Sequence, residues 1–198
     1  MQNRKPELTD ELFEDICREG FDLWTDFVAR RGGLYHKLIP ADHRAARGPL
    51  EQQRERAHSF VELGSGMGVI TILADLMGYD AYGIEIDPEL VDESCKLAER
   101  FGSRATFVEG SFVPLEYRDE TELLDTDSLT LTEGADAYDE LGMDFADFDL
   151  VFGFPWPGEE DWLFEMVRRH AGTQTTFLSF ENREGYVLTP IDELRSQG

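Results

Sequence analysis

The stretch from Phe60 to Asp87, FVELGSGMGVITILADLMGYDAYGIEID, most constrains what this chain can fold into. An apolar run meets a glycine turn, a helical apolar stretch follows, and a second strand-like run ends on acids. Strand, turn, helix and strand in that order make half of a nucleotide-binding βαβ unit, because parallel strands need a crossover. In Gly64-Ser65-Gly66-Met67-Gly68 the glycines alternate. Without Cβ atoms they admit positive φ and let a ligand approach the backbone, while the next helix presents free amides. A dinucleotide fingerprint would place its third glycine at Val69, so the spacing argues against a nicotinamide oxidoreductase.

Glu85 stands near the end of the second strand, about 20 residues beyond Gly64, where a carboxylate accepts both hydroxyls of a ribose. Asp87, followed by Pro88, is better placed to cap the next helix than to touch a ligand.

The remainder extends the same pattern. Leu12, Phe13, Ile16, Leu23, Trp24, Phe27 and Val28 recur at helical spacing, predicting a helix over 9–31 capped by Thr9 and stopped at Gly32-Gly33. Pro49 opens a short polar helix in this reading. Strands are expected near 59–63, 81–86, 105–109, 148–153 and 174–180, with helices near 68–77, 88–101 and 159–171. Gly78, Gly102 and Gly172 follow those helices where a left-handed C-cap is wanted. The predicted fold class is α/β: a doubly wound, mostly parallel sheet, with ligands at the carboxyl ends of its strands. The expected organisation is a helical extension and cleft cover over 1–57 and a Rossmann-like domain over 58–198. An acidic insertion at 114–147 interrupts that domain, with a short strand at 129–132 or a lid role.

Composition narrows the partners. With 42 acidic against 18 basic residues the net charge is -24, which repels phosphate backbones and argues against nucleic acid. Arg30, Arg31, Arg44, Arg47, Arg54 and Arg56 form the one basic concentration. Cys17 and Cys95 fall within helical stretches without metal-site spacing, so both are expected to be buried reduced thiols and no metal site is signalled. No apolar run is long enough to span a membrane and the polar N-terminus has no signal core, which predicts a cytoplasmic protein.

ELGSGMG followed by YGIEIDPEL resembles motifs I and II of the class I, seven-strand-type methyltransferases that bind S-adenosylmethionine. The likeness covers about 58–113 well and 147–180 less well. It implies S-adenosylmethionine as cofactor, with Glu62 near its methionine moiety and Gly64, Ser65, Gly66 and Gly68 wrapping it. Glu85 would then bind the ribose, Ile86 would pack on the adenine, and Ser111 and Phe112 would meet the base from the third strand. Ser111 stands where many members carry an acid.

After strand four, Gly153-Phe154-Pro155-Trp156 departs from the Asn/Asp-Pro-Pro-aromatic loop of the amino methyltransferases at its first two positions. Trp156 offers a π face to a cationic methyl donor or acceptor. Glu159, Glu160 and Asp161 suit a cationic substrate, although favouring the next helix N-terminus is their simpler role. Tyr35 and His36, with His43 nearby, are the other candidates for the acceptor side, set against an ordinary surface role. His58 and His170 read as structural. The family usually continues past strand five with a helix and hairpin; here 185–189 is expected to add one strand to a trimmed sheet whose edge is covered by the first helix, the acidic insertion or a second subunit. The implied activity is methyl transfer to a small molecule or protein side chain, with a non-catalytic module binding the cofactor or its demethylated product as the alternative. Oligomeric state is left open.

Overall fold

A computed structural model describes residues 5–32, 39–118, 129–181 and 184–196. Among them, a six-stranded sheet runs in the order β3-β2-β1-β4-β5-β6, comprising β1 (Ser59–Leu63), β2 (Asp80–Glu85), β3 (Thr106–Glu109), β4 (Leu150–Gly153), β5 (Thr176–Glu181) and β6 (Gly185–Pro190). The first five are parallel and β6 returns antiparallel on β5. The chain order reverses between β1 and β4, which opens a crevice there at the carboxyl edge.

One face of the sheet carries α1 (Asp10–Arg31), α3 (Val69–Met77) and α4 (Pro88–Phe101). Phe13, Ile16 and Phe27 of α1 pack with Ile72 and Leu73 of α3 and Leu97 of α4, so α1 belongs to the core. Thr9 caps α1 by accepting from the Leu12 amide, as its position predicts. The short α2 (Arg47–Gln53) begins two residues before Pro49, whose missing N–H is still tolerated in the first turn. The opposite face is closed by α7 (Glu160–His170) and α8 (Ile191–Ser196), where Trp162, Met166, Val167, Phe177 and Ile191 share a second core.

The link from β3 to β4, predicted without a crossover helix, contains two short helices, α5 (Leu115–Arg118) and α6 (Ala137–Leu141), and a 3-10 turn at Phe145–Asp147. Residues 129–132 form no strand, correcting that expectation; the Leu129 and Thr130 amides donate to a side chain instead of a ladder. Gly78 and Gly102 are left-handed C-caps, but Gly172 is not. The helix before it ends on an extended Ala171, and Gly172 is small because a Cβ there would lie 2.4 Å from the Ala146 carbonyl oxygen. Cys17 is buried, with its thiol pushed up to about 11 by that burial, whereas Cys95 is exposed, contrary to expectation. Cys95 sits on the outer stripe of α4, where helical spacing alone does not separate a small apolar residue facing solvent from one facing the core.

No described helix is long and apolar enough to cross a membrane. The arginine concentration is largely spent on acids of this chain: Arg30 on Glu89, Arg31 on Asp87, Arg44 on Glu14, and Arg47 on Asp10 and Glu51. β6 is the expected extra strand at 185–189, extended by one residue into Pro190.

Candidate functional site

The turn between β1 and α3 is built from glycines because its backbone demands them. Gly64, Gly66 and Gly68 have φ of 74°, 53° and 69°, a region that costs an L-residue roughly 1–2 kcal/mol. Their surroundings differ. A Cβ on Gly68 would lie 2.4 Å from the Phe107 ring, so packing requires that glycine, whereas nothing lies within 4 Å of a Cβ on Gly66. Gly66 therefore borders open space among the described residues, and the Phe112 ring edge stands 3.9 Å from the Cβ position of Gly64. The Gly64 and Ser65 amides both donate to the Ile84 carbonyl at 2.9 Å, fastening the turn to β2.

Two buried glutamates flank this turn. Glu85 accepts from the amides of Gly66 at 2.9 Å, Ile86 at 2.8 Å and Asp87 at 3.0 Å. Burial pushes its carboxyl above the ordinary range, and the three amides oppose that rise. A carboxylate has about four lone-pair sites, so this one retains capacity for a ligand hydroxyl. These bonds also explain why β2 ends at Glu85 and not Ile86: the next amides turn to the side chain. Glu62 lies on the α3 side, accepting from the Thr71 amide at 3.0 Å and hydroxyl at 2.5 Å. Its carboxyl is pushed up to about 8, chiefly by burial. Sequence reasoning missed Thr71, on the first turn of α3, although a hydroxyl at the start of a helix behind a strand acid was a readable signal.

It also missed Ser94 of α4, whose hydroxyl lies 2.9 Å from the Gly66 carbonyl and braces the turn from behind. The Ser65 hydroxyl points inward: a Cβ on Gly83 would meet it at 2.8 Å. Its backbone holds the turn, its amide donating to the Ile84 carbonyl and its carbonyl accepting from the Gly68 amide at 2.7 Å. Asp87 is an N-cap, accepting from the Glu89 amide at 2.9 Å, and it pairs with Arg31 at 3.0 Å.

At the end of β3, Ser111 is buried and engaged by the chain itself. Its hydroxyl accepts from the Val113 amide at 3.2 Å and lies 3.3 Å from the Leu131 carbonyl. Its amide donates to the Ala135 carbonyl at 2.9 Å. Phe112 is half-buried beside Trp162 at 6.4 Å between centroids.

Beyond β4 and β5 lies an aromatic cluster that the sequence reading did not assemble. Phe154 meets Phe180 at 4.9 Å, Phe180 meets Tyr186 at 4.8 Å, and Tyr186 meets Phe152 at 5.7 Å between centroids. Phe152 pairs in register with Glu62, so the cluster and that carboxyl share one face of the sheet. The Tyr186 hydroxyl is buried with no hydrogen-bond partner among the described residues, and its ionisation is pushed up by burial and by Glu62. Trp156 is half-buried in the loop after β4. Gly153 is dictated by packing: a Cβ there would lie 2.9 Å from Leu163, on the side away from this cluster.

Glu159 differs from its neighbours. Glu160 and Asp161 are exposed in the first turn of α7, as the simpler reading has it, but Glu159 is buried and accepts from the Leu129 amide at 2.5 Å. His43 is half-buried, and burial pushes its imidazole down to about 4. Tyr35 and His36 lie outside the described residues. No group of acids, histidines and cysteines able to hold a metal occurs among the described residues.

No family model matches the chain. A segment of 51 residues, 26% of this chain, is 41% identical to part of the ribosomal protein L11 methyltransferase of Thermus thermophilus. The match spans about one fifth of that relative, 20% of its length. An RNA methyltransferase from Salinibacter ruber, solved with S-adenosyl-L-homocysteine, superposes with a TM-score of 0.50 at 19% identity, over 71% of this chain and 76% of that one. A precorrin-6y C5,15-methyltransferase from Geobacter metallireducens gives 0.48 at 16% identity, over 71% and 64%.

Proposed function

We propose that this chain, whose fold is that of the Rossmann-like class I methyltransferases, binds S-adenosylmethionine at the glycine turn and passes its methyl group to a small molecule or protein side chain. The observation that carries this reading is the pairing of an open cradle at Gly66 with the buried Glu85 carboxylate, which is bonded to that glycine's amide. The residues fit the cofactor: Gly64 and Gly66 leave room for it, Glu85 retains acceptor capacity for one ribose hydroxyl, and Ile86 and Phe112 offer apolar surface to a base. Glu62 lies toward its methionine end. Ser65 contributes backbone, and Gly68 acts through the turn it shapes.

Held there, S-adenosylmethionine would supply an electrophilic methyl group on a cationic sulfur. What this chain must supply is alignment, proximity and exclusion of water. The aromatic cluster of Phe154, Phe180 and Tyr186, with Trp156 near it, provides the dry wall on the acceptor side. Its π faces suit a cationic or planar acceptor. The Tyr186 hydroxyl, buried and unpartnered among the described residues, is a donor available to orient that acceptor. Tyr35 and His36 remain candidates for the same side. The net charge of -24 favours a cationic or basic-protein acceptor over nucleic acid.

Titration calorimetry with S-adenosylhomocysteine tests the cofactor reading. The wild-type protein is expected to bind, and Glu85→Ala to bind at least about 100-fold more weakly while keeping its circular dichroism. Normal binding by Glu85→Ala would overturn the ribose assignment. Transfer of labelled methyl to an acceptor in a lysate then separates an enzyme from a non-catalytic binding module.

A further inference from the structure

Residues 129–136 run across the carboxyl edge of the sheet. At one end the Leu129 amide donates to Glu159 Oε1 at 2.5 Å, and the Thr130 amide lies 3.3 Å from each oxygen of the same carboxylate. Glu159 stands beyond the end of β4. At the other end the Ala135 carbonyl accepts from the Ser111 amide, and Asp136 bridges Ser111 in parallel beyond the end of β3. The Leu131 and Ala135 carbonyls both meet Ser111, one at its hydroxyl and one at its amide, so residues 131–135 fold back over the end of β3 while Leu129 and Thr130 reach the Glu159 carboxylate. Arg118 tightens the far end, donating to the Gly134 carbonyl at 2.8 Å and lying 3.4 Å from the Ala135 carbonyl.

The crossing point matters. A Cβ on Gly134 would lie 3.3 Å from the Ile86 side chain and 3.7 Å from the Ser111 amide, and the Leu131 carbonyl faces the Ser111 hydroxyl. Ile86 and Ser111 are the residues assigned to the adenine above, so the segment lies where the base would sit. Leu131 is 61% exposed, so little apolar burial holds the strap down. The contacts at its two ends are mainly polar and reversible.

We propose that residues 129–136 form a strap that occupies the adenine end of the cofactor cleft and is displaced when cofactor enters, with Glu159 as its latch and Arg118 as its anchor. The proposal rests on the cofactor reading above. Both are positioning residues that set the rate of entry, and neither touches the reacting atoms.

Hydrogen exchange and stopped-flow binding of S-adenosylhomocysteine test it together. In ligand-free protein, Glu159→Ala is expected to speed exchange at the Leu129 and Thr130 amides at least about 10-fold; unchanged exchange overturns the latch. In wild-type protein, S-adenosylhomocysteine is expected to speed exchange across 129–136, and slower exchange would make the segment a fixed wall and overturn the proposal. Association should be about 10-fold faster in Glu159→Ala and in Arg118→Met, the second variant carrying the test if the first does not fold. Binding at equal rates in Arg118→Met and wild type overturns the strap alone. No binding by folded protein of any variant overturns the cofactor reading, and the strap proposal with it.

Discussion

Glu62 shows how a side chain's surroundings set its behaviour. Its carboxyl is buried beside Thr71 and pushed up to about 8, above its ordinary 4.5. A folded-state value above the unfolded one means the folded protein holds the proton more tightly, so this contribution to stability is full below about pH 4.5 and is lost as pH rises toward 8. Glu62→Gln removes the titration. Relative to wild type, its urea-unfolding free energy should improve between pH 5 and pH 9, by an amount on the order of 3 kcal/mol. A constant difference across that range would refute the burial account. Gly66→Val probes the turn from the other side: no described atom lies within 4 Å of the new Cβ, so the chief cost to the fold should be backbone strain of about 1–3 kcal/mol. Cofactor binding, measured by calorimetry, should nevertheless disappear because the valine occupies the open space beside the turn. The glycine turn at Gly64 and Gly66 was legible because its positive φ restricts which residue types can stand there, and Glu85 because it ends the strand beside that turn. Tyr186 and Glu159 were not, since their importance comes from neighbours far away in the chain.

Among the elements, α1 and α3 form the tightest helix pair. Gly20 of α1 lies so close to α3 that a Cβ would come within 2.1 Å of Val69 Cγ2. Gly20→Ala gains helix propensity, yet the overlap forces the helices apart, and the net effect should be a loss of about 1–3 kcal/mol in urea unfolding. Trp162 of α7 is buried between Tyr117 and Phe112, and Trp162→Ala should cost about 3–5 kcal/mol by the same measurement. The long helices and parallel strands were legible in the sequence because their periods and glycine caps are local signals. The acidic link was not. Its helices are too short to show a period, and residues 129–132, strand-like in composition, place their first two amides on the Glu159 carboxylate just before α7. Gly172 likewise looked like a cap, whereas its smallness answers to the Ala146 carbonyl.

Across the whole molecule the charge of -24 opposes compaction, because an excess of like charges repels itself. Raising salt from about 10 mM to about 300 mM shortens the screening length to well under 10 Å. The thermal midpoint should therefore rise with sodium chloride, and a flat or falling midpoint would show that internal ion pairs such as Lys5 with the buried Asp75 dominate. The linear sequence by itself determined the α/β class, the glycine turn and the cap at Asp87, since each depends on backbone conformation within a few residues. Only the tertiary structure decided that Thr71 bonds Glu62 and Ser94 braces the glycine turn, that aromatic side chains at the ends of β4, β5 and β6 form one cluster, and that residues of the acidic link meet Ser111 and Glu159. Those arrangements depend on strand order, which brings together residues far apart in the chain and which no local pattern encodes.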